Sequence, residues 1–325
     1  MDILRRLNSI SFNWNDISKY RQPLMGLSII MVLLCHARMD GANLPNILLS
    51  ILSLGNWGVD IFLLLSGIGM YYSISKQRDN INWRVWIFKR LKRILIPYLI
   101  IESPFWIWYA IHNGLGIKGF LYYISFASYW GEHVGLWFVA LLIPLYILTP
   151  VFYKLFDNRL RYLYLSLLMV LVLAGSAVPF DSDSETIRTV QGCLSRIPCY
   201  LIGLCIGYDV KNYKKSIGII IVPILLYILM QSLPVFLYKG WIWGILITIC
   251  LTKILGISLS KFTIKPLSYV GRYTLELYIG LDISKNILVQ FMEPSTVFWV
   301  LTIVGSVLIA ILYNSVVNSY LNPIL

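Results

Sequence analysis

Long apolar runs separated by short polar connections dominate the chain. A helix that crosses a bilayer needs roughly 20 mostly apolar residues at about 1.5 Å each. Ten runs meet that condition, at 22–38, 57–75, 94–112, 134–153, 162–179, 194–209, 216–234, 240–257, 268–288 and 296–317. The longest interruptions are 76–93, 113–133 and 180–195. None has the length of an extramembrane domain, so one integral-membrane domain is expected over 1–325, with no separate soluble domain. Backbone groups in hydrocarbon must bond within their own segment, which makes each run a helix. The expected fold is an all-α bundle of about ten transmembrane helices.

Composition narrows this by exclusion. The chain is 58% hydrophobic and 13% charged, against about 45–50% and about 25% for soluble proteins. Half the usual charge cannot cover a water-facing surface. Disorder is excluded too, because 14% aromatic residues and Leu/Ile runs would collapse.

The net charge of +12 would suggest nucleic acid in a soluble protein. Its distribution gives a different reading. Arg5, Arg6, Lys19 and Arg21 precede the first run, and Lys76, Arg78, Arg84, Lys89, Arg90, Lys92 and Arg93 precede the third. The same alternation continues with Lys154, Arg159 and Arg161, then Lys211, Lys214 and Lys215, then Lys253, Lys261 and Lys265. The intervening segments hold only Arg38, Lys118, Arg188, Arg196, Lys239 and Lys285, a split of twenty to six with Arg272 inside a run. Positive charge in short loops marks the cytoplasmic side. Both termini are therefore predicted in the cytoplasm, the span count is even, and the protein is multi-pass in the cell membrane with lipid, not nucleic acid, around it. The segment MDILRRLNSISFNWND does not read as a signal peptide, because the run after it is long and lacks an A-x-A-like site.

Several signals carry no chemistry. The five cysteines form no C-x-x-C pair and read as small buried side chains. His36, His112 and His133 lie on different segments without ligand spacing, so no metal is expected. Gly114 to Gly119 matches G-x-G-x-x-G but follows no strand, and neither a Walker phosphate loop nor a G-x-S-x-G elbow occurs. Gly203 and Gly207 form a small-xxx-small pair that predicts close helix packing.

Ionisable groups inside apolar runs are costly and are the functional candidates. His36 ends the first run, and Arg21 begins it. Fifteen residues rise about 22 Å, so an arginine at one mouth and an imidazole deeper in can face one cavity. Asp60, near the depth of His36, can orient the imidazole, pair with Arg38 or serve the helix N-terminal dipole. Arg90 and Arg93 are i,i+3 in the densest basic cluster and can grip phosphate or anchor the chain to anionic lipid. Glu102 lies about 13 Å beyond Arg93 along the third run. Arg272 and Glu276 are i,i+4 and can neutralise each other. Trp57, Trp130 and Trp137 suit either an interfacial belt or stacking on a sugar ring.

Taken in order, several segments resemble the acyltransferase-3 family of multispanning membrane acyltransferases. The segments are LMGLSIIMVLLCHA at 24–37, GVDIFLLLSG at 58–67, Arg90 and Arg93 followed by ILIPY, LWFVALLIPLYILTPV at 136–151, SRIPCYLIGLCIGY at 195–208 and SYVGRYTLELYIG at 268–280. The resemblance implies transfer of an acyl group, commonly acetyl, from cytoplasmic acyl-CoA to a hydroxyl of a cell-surface or lipid-linked saccharide. It makes His36 the catalytic histidine and Arg90 with Arg93 the basic motif. On that reading His36 acts as general base or accepts the acyl group transiently, with Asp60 able to hold its tautomer, and Arg90, Arg93 and Arg21 bind the donor phosphates. Glu102, Trp137 and Glu276 become candidates for substrate contact. Two departures stand out: fourteen residues separate Arg21 from His36 where the family commonly has ten, and Leu281 replaces a histidine that many members carry. The rival reading is a transporter or flippase of a polar or lipid-linked saccharide, which would use Glu102, Arg272 and Glu276 at middle depth.

Overall fold

A computed structural model describes residues 12–77, 81–177, 185–212, 215–216, 240–257 and 261–320. The predicted run at 216–234, apart from Ser216, and the N-terminal segment 1–11 lie outside these described residues, as do Arg78, Lys214 and Lys239.

The described chain is helical apart from a two-residue antiparallel pairing of β1 (Phe12–Asn13) with β2 (Lys215–Ser216). A short α1 (Asn15–Lys19) leads into α2 (Arg21–Cys35), α3 (Asn46–Ser53) and α4 (Trp57–Ser75). Next come α5 (Trp83–His112), the short α6 (Gly116–Ile124) and α7 (Ala127–Glu132), then α8 (Trp137–Phe156), α9 (Arg161–Ala177) and α10 (Glu185–Lys211). The chain ends with α11 (Gly240–Ile257), α12 (Lys261–Val270), α13 (Thr274–Leu288) and α14 (Thr296–Tyr320).

Among the described residues, five helical segments are long and apolar enough to cross a membrane: 46–75, α5, α8, α10 and the 296–317 stretch of α14. Shorter apolar helices occupy 21–35, 161–176 and 240–256. The chain is thus an all-helical integral membrane protein.

Three boundaries depart from the sequence expectation. Helix α5 begins at Trp83, where Asn82 caps it by accepting from the Val85 amide at 3.2 Å. The basic cluster therefore lies on the helix rather than in the loop before it. The first run stops being helical at Cys35, so α2 has 15 residues and is about 22 Å long, short of the ~30 Å hydrocarbon thickness. The irregular segment after it is tied to α14, where Asn43 donates to Thr296 at 2.8 Å, and it buries Ala37, Asp40 and Ala42 while Arg38, Met39 and Asn43 stay exposed. Non-helical backbone at membrane depth is tolerated where protein encloses it. The run expected at 268–288 is broken at 271–273, where three successive amides bond back to Leu267, Tyr269 and Val270.

Glycines set the closest crossings. A Cβ on Gly203 would lie 2.1 Å from the Leu64 carbonyl oxygen, and one on Gly67 2.3 Å from that of Tyr200. Helices α4 and α10 therefore touch backbone to backbone, as the small-xxx-small spacing predicted. Gly26 and Gly271 do the same where α2 crosses α12, each with an ideal Cβ 2.0 Å from a carbonyl oxygen of the other helix's segment. At the other end of α10, Asp209 holds α9 through Arg161 at 3.2 Å and the Tyr162 hydroxyl at 2.8 Å.

Candidate active site

Five helices, α2, α4, α5, α8 and α13, enclose a narrow cavity of about 120 Å³. Its walls are apolar except for Ser66, Tyr146, Thr274 and the Tyr278 ring. Because α2 runs antiparallel to α4, each end of the cavity gathers a distinct set of side chains.

Arginines gather at one end. Arg21 opens α2 and lies against Gly69 of α4, where a Cβ would meet its Nη2 at 3.1 Å. A side chain there would press on the end of the guanidinium. Arg90 donates to the Ser73 hydroxyl and covers the Trp86 ring, 5.6 Å from its centroid. Arg21, Arg90 and Arg93 all act electrostatically on the buried Tyr146 hydroxyl, which is bonded to Ser66 in the cavity wall. Among the described residues no carboxylate is ion-paired with any of the three. Three guanidinium groups without an ion-paired carboxylate have the chemistry to receive an anion such as phosphate.

Another face of α5 opens a second, larger cavity of about 980 Å³, lined by Arg84, Lys89, Lys92, Arg93, Glu276 and Tyr313 among others. It lies next to the narrow one. Arg93 and Glu276 line the large cavity, and their chain neighbours Ile94 and Leu275 line the small one.

The opposite end carries His36, which caps the C-terminus of α2 one turn beyond Val32 of the cavity wall. Its Nδ1 is buried and has no hydrogen-bond partner. Asp40, one turn on, donates its amide to the His36 carbonyl at 2.8 Å and is 0% exposed. Lys285 of α13 reaches across to it, with Nζ 2.7 Å from Oδ1. One turn below Lys285, Asp282 accepts from Asn286 at 3.0 Å. Glu102 of α5 faces it, is 1% exposed, and accepts from Trp106 Nε1 at 2.8 Å while Oε1 has no partner. Asp282 acts electrostatically on Glu102.

The expected residues thus fall into four places. His36 and Glu102 belong to the polar end. Arg21, Arg90 and Arg93 come together at the basic end, although Arg21 is four residues further from the histidine than the family's usual spacing. Glu276 lines the large basic cavity, and no ion pair joins it to Arg272, which stands exposed in the break between α12 and α13.

Asp60 requires a correction. Its carboxylate meets Arg196 Nη1 at 2.6 Å, with side chains 0% and 10% exposed, and Arg196 also donates to Asn56 Oδ1 at 3.0 Å. Arg38 is exposed instead. Helix-end geometry put Arg38 nearby in sequence, but α10 packs along α4 and brings Arg196 to Asp60 from 136 residues away. Trp137 lies under the same guanidinium, 5.6 Å from ring centroid to Cζ, which commits its face to a cation.

Sequence reasoning passed over Asp40, Tyr146, Arg196, Asp282 and Lys285. Asp40 carried a readable signal, since it stands i+4 from His36. Lys285 and Arg196 were counted only as charges of the sparse set, and nothing local marks their partners.

No curated protein and no solved structure matches the chain. A family model does: the one described as "Acyltransferase domain" matches residues 24–314, which takes in every residue that lines the narrow cavity, with His36, Arg90 and Arg93, and begins three residues after Arg21. The chain therefore belongs to the acyltransferase-3 family and is a membrane acyltransferase.

Proposed function

We propose that the protein transfers a short acyl group, acetyl, from cytoplasmic acyl-CoA to a hydroxyl of a cell-surface or lipid-linked saccharide. The observation that carries this reading is a narrow cavity whose wall residue Tyr146 feels three arginines without an ion-paired carboxylate, while a buried imidazole nitrogen without a hydrogen bond stands one turn beyond its wall residue Val32. The arginine end faces the cytoplasm, with both termini on that side and ten spans when 216–234 is counted.

The nucleotide part of the donor, with its phosphates, occupies the 980 Å³ cavity and the adjoining arginines, Arg93 serving both. Bidentate arginine contacts to phosphate hold it. The pantetheine arm passes between α5 and α13 and delivers the thioester below His36. The cavity of about 120 Å³ is well under the ~300–1,000 Å³ of drug-sized pockets, which favours a two-carbon acyl group over long chains.

Neutral His36 takes the proton of the acceptor hydroxyl as the oxygen attacks the thioester carbonyl carbon. The carbon–sulfur bond then breaks, the ester leaves on the acceptor, and the imidazolium returns its proton to the coenzyme A sulfur. Glu102 and Asp282 accept hydrogen bonds from acceptor hydroxyls. Asp60 stays with Arg196 and keeps the helices around the site in register.

The test is His36→Ala in membrane vesicles supplied with labelled acetyl-CoA and the host glycan fraction. Expected is an inserted protein with transfer reduced to background. Transfer at the wild-type rate in that variant overturns the mechanism.

A further inference from the structure

We infer that Asp40 and Lys285 are positioning residues that form an electrostatic couple around His36 and set the pH at which it works. The inference rests on His36 being the base proposed above.

The geometry is specific. Asp40 sits one helical turn after His36, bonded to its carbonyl at 2.8 Å, in a segment that is no longer helical. Its carboxylate is wholly buried and no neutral donor bonds either oxygen. A buried carboxylate without hydrogen bonds is costly unless a cation stands against it. Lys285 supplies that cation at 2.7 Å, with its own side chain 34% exposed. The pair ties the segment after α2 to α13, the element that also lines the cavity. Both charges act on the imidazole, in opposite senses.

The other charged groups nearby are already engaged or turned away. Asp282 on α13 is bonded to Asn286. Asp60 of α4 is paired with Arg196 of α10, which also bonds to Asn56. Arg38 is exposed, and Glu102 of α5 is bonded to Trp106. Asp40 and Lys285 are thus the opposed charges that reach His36, and their balance acts on top of the burial of the ring. With both present, the net field on the neutral ring is small, so it can accept a proton. Once the ring is charged, Asp40 stabilises it while Lys285 keeps it from holding the proton. The proton can then pass on to the leaving sulfur.

Removing one member must tilt the ring in a known direction. Lys285→Met leaves the carboxylate alone beside His36, favours imidazolium, and moves the acidic limb of the rate–pH profile upward by about one unit. Asp40→Asn leaves the ammonium alone, disfavours imidazolium, and moves the same limb downward by a similar amount. The double variant carries no net change of charge at the site and returns the limb towards the wild-type position. Lys285→Arg keeps the charge and keeps the wild-type limb.

The experiment records kcat/KM for acetyl transfer against pH in proteoliposomes for these four variants, wild type and His36→Ala. Detergent-solubilised melting is measured beside it to identify a variant that has not folded. Opposite limb shifts in the singles, with recovery in the double, establish the couple. Wild-type limbs in folded single variants, or shifts of the same sign, overturn it while leaving the base intact. An active His36→Ala overturns the proposed function itself, which separates the two failures. If Lys285→Met fails to fold, Lys285→Gln, an uncharged polar replacement of the same length, takes its place in the series.

Discussion

Replacing Asp60 by Asn tests whether this carboxylate serves the fold or the imidazole. The Asp60–Arg196 contact is 2.6 Å long and its side chains are 0% and 10% exposed, so solvent cannot take over when one partner is lost. Removing one member of a buried pair costs about 3–5 kcal/mol, chiefly from the charge left behind. Arg196 keeps its bonds to Asn56 and its seat over Trp137, so the low end, about 3 kcal/mol, is expected. That corresponds to a factor of roughly 10² in the folding equilibrium. The variant protein should show a clearly lower denaturation midpoint in detergent while its surviving fraction keeps the wild-type rate–pH profile. Arg196→Met alone should cost a similar amount. The double variant Asp60→Leu with Arg196→Met should recover most of the loss, because apolar replacement of a whole buried pair is often neutral. Wild-type stability in Asp60→Asn, together with a shifted pH limb, would refute the assignment and return Asp60 to the imidazole.

Three further outcomes follow from the same geometry. Arg90→Ala removes a charge-assisted phosphate contact worth about 1.5–3 kcal/mol, so KM for acetyl-CoA should rise about 10- to 150-fold with acceptor KM unchanged; unaltered binding of coenzyme A by calorimetry would make the cluster a lipid anchor. Gly203→Ala places a Cβ 2.1 Å from the Leu64 carbonyl oxygen and should abolish the monodisperse peak in size-exclusion chromatography, whereas Gly192→Ala, which meets nothing within 4 Å, should leave it intact. Phe138→Ala enlarges the narrow cavity at its histidine end, so the rate ratio of butyryl to acetyl transfer should rise, and an unchanged ratio would place the acyl group elsewhere.

Much of the architecture was legible because hydrocarbon leaves the backbone few options. A run of apolar residues long enough to span must be a helix, and loop arginines and lysines sort to one side, so hydropathy and charge give most helices. His36 stood out for a related reason, since an ionisable group in lipid is costly, whereas Arg90 and Arg93 stood out as i,i+3 members of the densest basic cluster. Where the reading failed, the cause was packing. Hydropathy predicted one continuous helix over 268–288, yet the chain breaks at 271–273 where Gly26 and Gly271 let α2 and its neighbour meet backbone to backbone. Apolarity cannot register such a break, since both halves remain apolar.

The sequence by itself therefore determined the membrane-embedded helical class, the alternation of charged and uncharged loops, and the separation of arginine from histidine along one helix. Tertiary structure alone decided who neutralises whom. Arg196 reaches Asp60 across 136 residues, Lys285 reaches Asp40 from α13, and three arginines from two helices converge on Tyr146 of a third. The physical reason is one of range. Hydrogen bonding and burial of each helix are local and leave a periodic trace in the sequence. Ion pairing in a low-dielectric interior depends on a few ångströms between distant segments, and only the packed bundle fixes those.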